Sequence, residues 1–286
     1  PELQYLLRTD HPDIVCITES WLSANESNGC IVGDLQFTVF RNDHLGSAHG
    51  GVCDITRDCS VKAAEVAITE KFIRLEVVAI DILNILCPVR FITIYRSPSR
   101  HVAADDDLND LDECVPVSDM KCLIKCLRRL CDTNRSIVIT GDLNLSDVNW
   151  NEPNLLADGE SCSGLFVTFA KQYGFEQYVQ DVTRPSTIPG SGSVIDLVLC
   201  NDTHILHNVD VGTPFSTSDH CSVFFQVSYL PLKGEFVHNI PADSNYYDFT
   251  RCDWDQVKNW MASVDWSDVF AQCSNVEEHA AVFMMS

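Results

Sequence analysis

The chain has 286 residues, 45% of them hydrophobic and 21% charged, enough apolar surface for one large domain or two small ones. Its 41 acidic residues against 19 basic ones leave a formal charge of −22, a field that opposes DNA, RNA and anionic membranes unless a basic patch or a bound divalent cation offsets it locally. No apolar run is long enough to span a bilayer, and the opening PELQYLLRTDHPD has neither the basic start nor the apolar stretch of a signal peptide.

Glu2 to Arg8 spaces Leu3, Leu6 and Leu7 along one helical face, and His11-Pro12 breaks it. Asp13 to Thr18 (DIVCIT) reads as a buried strand running directly into Glu19, followed by Trp21, Leu22 and a polar loop, SANESNG. Phe37 to Phe40 is the next strand, and Gly50-Gly51 leads into VCDITRD as its hairpin partner. Phe72 to Ile85 supplies one or two further strands, and Phe91 to Tyr95 another, which ends on Tyr95, Arg96, Ser97 and Pro98.

Residues 102–119 carry seven acids and no Lys or Arg, a pattern that predicts a solvated loop rather than a calcium loop, because the ligand alternation is missing. Asp119 is expected to cap a helix through Leu130, with Cys122, Leu123, Cys126, Leu127 and Leu130 on its apolar face and Lys121, Lys125, Arg128 and Arg129 on the other. Those basic residues are the nearest thing to a positive patch. Ser136 to Asp147 (SIVITGDLNLSD) reads as a strand buried on both faces that stops at Gly141 and surfaces at Asp142, Asn144 and Asp147. Alone, such an ending is an ordinary turn.

Leu165 to Tyr173 predicts a helix stopping at Gly174, and Thr183-Arg184-Pro185 leads to the turn IPGSGS. In the strand VIDLVL, Asp196 interrupts an apolar run, so its carboxylate needs a partner. Ser216 to His220 (STSDH) then precedes a last strand, SVFFQV. The 14 cysteines include no C-x-x-C pair and read as reduced, small core residues rather than a disulfide framework or a zinc site. Residues 1–230 are expected to form one domain, with 231–286 a linker and a Trp-rich helical segment around Trp254, Trp260 and Trp266.

Strands alternating with helices, with polar groups at several strand ends, indicate a layered α/β domain. The motifs TES (18–20), YRSPS (95–99), GDLN (141–144), IDLVL (195–199) and SDH (218–220) occur in the order seen in the endonuclease/exonuclease/phosphatase superfamily. Within it, PDIVCITESWL, HGGVCDITRD and TRPS resemble the apurinic-type endonuclease domain of non-LTR (LINE-like) retrotransposon polyproteins, and the tail DFTRCDWDQVKNWMASVDWSDVF resembles the spacer before a reverse transcriptase.

That resemblance implies a four-layer α/β sandwich, two face-to-face, mostly antiparallel sheets flanked by helices. It implies an endonuclease that nicks target DNA for element insertion, with Mg²⁺ (or Mn²⁺) as cofactor. Glu19 and Asp219 would hold the metal, and Asp142 would activate the attacking water or assist the leaving group. Asn144, Tyr95 and Arg96 would hold the phosphate, and Asp196 would pair with a catalytic His220. DNA is the implied substrate, with a reverse transcriptase in cis, no membrane partner, no obligate oligomer, and a nuclear or cytoplasmic location. The family opens with a strand carrying a metal-site Asn, and Pro1 already lies in the helix after it, so an N-terminally truncated, catalytically inactive remnant is the alternative expectation. A phosphatase of the same superfamily ranks lower, because LSDVNW follows GDLN where inositol phosphatases carry an Arg.

Overall fold

The computed structural model describes residues 2–44, 49–69, 72, 75–97, 115–150, 152, 160–188, 191–228 and 263, of which 115–118 are described by their backbone alone. The acidic stretch as far as residue 114 and the Trp-rich segment lie outside the described residues, Ser263 excepted. Chain contacts divide the protein into Pro1–Phe236 and Val237–Ser286.

The centre of the fold is a six-stranded sheet. Its strands are β4 (Ala63–Glu65), β5 (Glu76–Ile82), β6 (Val89–Tyr95), β7 (Ser136–Asp142), β8 (Glu176–Gln177) and β11 (Asp196–Cys200), in the order β4-β5-β6-β7-β11-β8. Every pairing is antiparallel except β6 with β7. A parallel pair needs a long crossover, here the stretch containing α3 (Val115–Leu130). The helix begins four residues before the cap expected at Asp119. Pro116 stands in its first turn, where a missing N–H breaks no helical hydrogen bond.

Strand periodicity gives the sheet two apolar faces. On one, Val77, Ala79, Ile92, Ile94, Ile137, Ile139, Leu197 and Leu199 pack against α3 and α4 (Cys162–Gln172). A buried ion pair anchors this layer. Asp81 and Arg90 face each other across β5 and β6, Arg90 donates to both Asp81 oxygens at 2.7 and 2.9 Å, and it gives a third hydrogen bond to the Leu130 carbonyl at the end of α3. Buried charges persist only when paired in this way.

The other face meets a second layer of strands. β1 (Ile14–Thr18), β2 (Phe37–Asn42) and β3 (Val52–Arg57) form a three-stranded sheet in the order β1-β3-β2. β12 (Leu206–Pro214) and β13 (Cys221–Val227) form a two-stranded one. Both contribute to a single core with Val78, Ile80, Phe91, Val138 and Val198. A short pair, β9 (Arg184–Pro185) and β10 (Gly192–Ser193), precedes β11. Outside the three-stranded sheet, α1 (Glu2–Thr9) and α2 (Asn28–Val32) close a third core on Cys53 and Ile55. Helices, sheet, sheets and helices make the four-layer α/β sandwich expected.

Some expectations change. β1 was expected to be buried, yet all five of its residues are half-exposed, because it is an edge strand paired only with β3. The polar stretch SANESNG ends inside α2, and β12, rich in polar residues, had no predicted counterpart.

One residue of the inter-sheet core breaks the apolar pattern. Asp54 on β3 is fully buried, and among the described residues neither its oxygens nor the nearby Thr93 hydroxyl has a hydrogen-bond partner of good geometry. Burial pushes its carboxyl up to about 7, with Thr93 and Cys16 offsetting only part of that. The unfolded chain gives up this proton near pH 4 (about the usual carboxylate value), whereas the folded chain keeps it until about 7. Stability therefore falls as pH rises through this window, and the loss is complete above it. Asp54→Asn is expected to match wild type in thermal melts near pH 4 and to be more stable at pH 8, by up to about 4 kcal/mol. A difference that does not grow with pH would show that Asp54 ionises at no cost.

Candidate active site

The register of the central sheet aligns four polar residues in one transverse row. Glu76 lies opposite Tyr95, Tyr95 beside Asp142, and Asp142 opposite Asp196. All four side chains stand on the face turned toward the second layer of strands, because each is in phase with residues of that core, such as Val78, Phe91, Val138 and Val198. Next to this row Gly141 has φ 127°, and a Cβ there would lie 2.0 Å from the Ile94 carbonyl oxygen. Only glycine lets β7 pass β6 in this register.

Asp142 is 2% exposed. Burial first, then the Asp196 carboxylate, push it up to about 7, while His220 and the Asn144 N–H act the other way. Asn144, in a left-handed conformation with φ 49°, folds back onto Asp142. Its backbone N–H donates to one oxygen and its side-chain amide to the other, both at 2.9 Å, and the same amide nitrogen donates to the Arg96 carbonyl at 2.9 Å. With its amide protons so used, Asn144 keeps its amide oxygen for a ligand. The Arg96 backbone N–H bonds the Asp142 carbonyl at 2.8 Å, while its guanidinium reaches the Leu143 carbonyl at 3.3 Å.

Asp196 has the partner its burial demands. His220 Nδ1 lies 2.8 and 3.0 Å from its two oxygens. That hydrogen bond is the main reason the His220 imidazole is raised above its ordinary value, against the opposing effect of burial. Asp219 points elsewhere. Its Oδ2 accepts from Arg184 at 2.7 and 3.0 Å, and this guanidinium holds the carboxyl below the usual range. Asp219 Oδ1 is 4.0 Å from His220 Nε2.

Glu19 approaches from the second layer. It is exposed, just beyond β1, with φ 50°. Tyr95 donates its hydroxyl to Glu19 Oε1 at 2.6 Å, and the Trp21 indole N–H donates to Oε2 at 3.3 Å. Burial, then Glu19, push the Tyr95 phenol far above its usual value, so Tyr95 works as a hydrogen-bond donor.

Sequence reasoning singled out Glu19, Tyr95, Arg96, Asp142, Asn144, Asp196, Asp219 and His220, and the fold brings them to one end of the strands. It passed over three supporting residues. Thr183, fully buried, accepts the Ile195 and Asp196 N–H groups on its hydroxyl at 3.2 and 3.1 Å and the Cys221 N–H on its carbonyl, so it holds both halves of the Asp196–His220 pair. Arg184 follows it. Glu76 is the fourth member of the row, and its only signal was an acid at the start of an apolar strand. The basic residues Lys121, Lys125 and Arg128 lie between α3 and α4, on the other face of the sheet.

Asp142, Asp196 and His220 offer ligand atoms within 4.8 Å of one another, but the Asp196 carboxylate and His220 Nδ1 are engaged with each other. The remaining donors are hard oxygens, from the Glu19 and Asp142 carboxylates and the Asn144 amide. Such a set fits Mg²⁺ or Mn²⁺ rather than a thiolate-seeking ion.

Residues 89–224 match the family described as Endonuclease-reverse transcriptase. No curated protein matches the sequence. Among solved structures, the chain is similar to the endonuclease domain of TRAS1, a telomere-specific non-LTR retrotransposon, at 15% identity and a TM-score of 0.55, over 79% of this chain and 90% of that one. It is similar to the AP endonuclease LMAP from Leishmania major at 12% identity and a TM-score of 0.59, over 80% and 81%. It is also similar to the 3′ phosphatase NExo from Neisseria bound to product DNA hairpin, at 17% identity and a TM-score of 0.57, over 80% and 93%. At these identities the likeness to solved structures is one of fold, and together with the family match over residues 89–224 it supports a domain of the endonuclease/exonuclease/phosphatase type.

Proposed function

We propose that this domain hydrolyses phosphodiesters as a Mg²⁺-dependent endonuclease that nicks target DNA for retrotransposon insertion. The observation that carries the reading is the meeting of Glu19, Tyr95, Asp142, Asn144 and the Asp196–His220 pair at one end of the central sheet. In support stand the family description, which joins an endonuclease to a reverse transcriptase, and the resemblance of the segment after residue 230 to the spacer before a polymerase. On this reading the domain occupies residues 1–230, acts beside a reverse transcriptase in cis without an obligate second copy, and works in the nucleus or cytoplasm.

Phosphodiester hydrolysis needs an activated water, relief of charge on the non-bridging oxygens, and a proton for the departing oxygen. Glu19 and Asp219 would hold a divalent ion, which would supply the charge relief. Asp142, buried and orientated by Asn144, would take the proton of the attacking water, and the departing oxygen would take its proton from solvent. The Asn144 amide oxygen holds that water, while Tyr95 and Arg96 face the phosphate. His220, whose imidazolium form the Asp196 carboxylate favours, would stabilise the negative charge that builds on the phosphoryl oxygens.

A plasmid assay tests this directly. Supercoiled DNA should be nicked with Mg²⁺ and stay intact with EDTA, and His220→Ala should slow nicking by about 10²–10⁴-fold. A folded wild-type protein that does not nick would move the function to a non-catalytic remnant.

The Asp196–His220 pair makes a second prediction. Because the carboxylate favours the imidazolium, replacing it in Asp196→Asn removes the main cause of the raised value. The midpoint of the His220 ring-proton titration, followed by NMR in metal-free protein, should then move to lower pH. An unchanged midpoint would mean that the pairing does not hold the imidazolium.

A further inference from the structure

We propose that Glu76 is a positioning residue that holds Glu19 in place through the backbone of Gly50 and Gly51. The inference rests on the reading of Glu19 as the carboxylate that holds the metal. Glu19 and Trp21 have φ 50° and 53°, a left-handed conformation that residues with a Cβ keep only where their surroundings impose it. Past the end of β1, the Ser20 N–H donates to the Gly51 carbonyl at 3.1 Å and the Trp21 N–H to the Gly50 carbonyl at 2.9 Å. The turn that carries Glu19 is therefore fastened to these two glycines.

The glycines are in turn fastened to the central sheet. Glu76 is buried at the start of β5, and its Oε2 accepts the Gly51 N–H at 2.7 Å. Its Oε1 lies 2.5 Å from His44 Nδ1. Gly50 and Gly51 have φ 94° and 85°, and a Cβ on Gly50 would come within 2.7 Å of Glu76 Oε2. Glycine is thus needed for the backbone to approach the carboxylate this closely. Beside it, Asn42 on β2 donates to the Leu75 and Val77 carbonyls at 2.7 and 3.2 Å, bracing the same junction between the sheets.

Glu76 and Tyr95 are direct neighbours across β5 and β6, and both reach over to the second layer. Tyr95 grips the Glu19 side chain, and Glu76 grips the backbone that sets where this side chain starts. A buried carboxylate is costly unless it is hydrogen-bonded, and the bond to the Gly51 N–H that helps satisfy Glu76 also fastens the Glu19 turn.

The test is Mn²⁺ binding to the full chain, followed by the electron paramagnetic resonance of the free ion. Glu76→Ala should weaken the tightest Mn²⁺ site by about tenfold or more, as loss of a partner behind a metal ligand does, with no matching loss in thermal stability. Glu76→Gln should stay within about threefold of wild type, because its amide oxygen still accepts from Gly51 and its amide nitrogen still meets His44. Unchanged Mn²⁺ binding by folded Glu76→Ala overturns the proposal. If that variant does not fold, His44→Ala, altered at a half-exposed residue, decides: weaker binding supports the proposal and unchanged binding overturns it. Glu19→Gln separates the two levels of the argument. If it leaves the tightest site intact, the assignment of Glu19 is wrong. If it abolishes that site while Glu76→Ala leaves it alone, only the role given to Glu76 fails.

Discussion

Strand register is the constraint on which the site rests. Side chains from β5, β6, β7 and β11 meet in one row only because each strand is held at one offset from the next, and a slip of a single residue would turn Asp142 or Asp196 to the opposite face. The offset between β6 and β7 depends on Gly141, where the neighbouring backbone leaves no room for a Cβ. The one parallel pair matters equally. It lets β6 and β7 end at the same edge of the sheet, so Tyr95 and Asp142 emerge together, while antiparallel β11 begins at that edge with Asp196.

Concentrating carboxylates in a chain of formal charge −22 carries a cost, and each acid near the row meets it with a different partner. Asp196 has His220, Asp219 has Arg184, Glu76 has the Gly51 N–H and His44, and Glu19 has the Tyr95 and Trp21 donors. Among the described residues, Asp142 has no cation of its own in direct contact. It leans on the Asn144 N–H groups and stays raised. Selective neutralisation of this kind leaves one buried carboxyl raised and one carboxylate exposed, the contrast on which the roles proposed for Asp142 and Glu19 rest.

Much of this was legible in the amino-acid order. Asp142 and Asn144 stand where a β-branched run stops at a glycine, and Asp196 interrupts an apolar strand, so its need for a partner followed from the cost of burying charge alone. Glu76 was not legible, since its neighbours in the row come from other strands and only register reveals them. The Arg184–Asp219 pair joins residues far apart in the chain and was hidden for the same reason. Local signals misled at two points. Asp119 has the chemistry of a helix cap, but the helix tolerates Pro116 in its first turn and starts earlier. IVCIT has the composition of a buried strand, but exposure depends on what lies beside it, and β1 is an edge.

The distances between site residues along the chain have a consequence for how the protein comes to be active. Tyr95 meets Glu19 across 76 residues of sequence, Asn144 meets Arg96 across 48, and His220 meets Asp196 across 24. None of these contacts can form from a local segment, and the parallel β6–β7 pairing requires the whole α3 crossover to close first. A nascent or partly folded chain thus holds the same side chains without their geometry. On the proposed reading, no partial fold of the chain assembles the site before β13 pairs with β12 and His220 reaches Asp196.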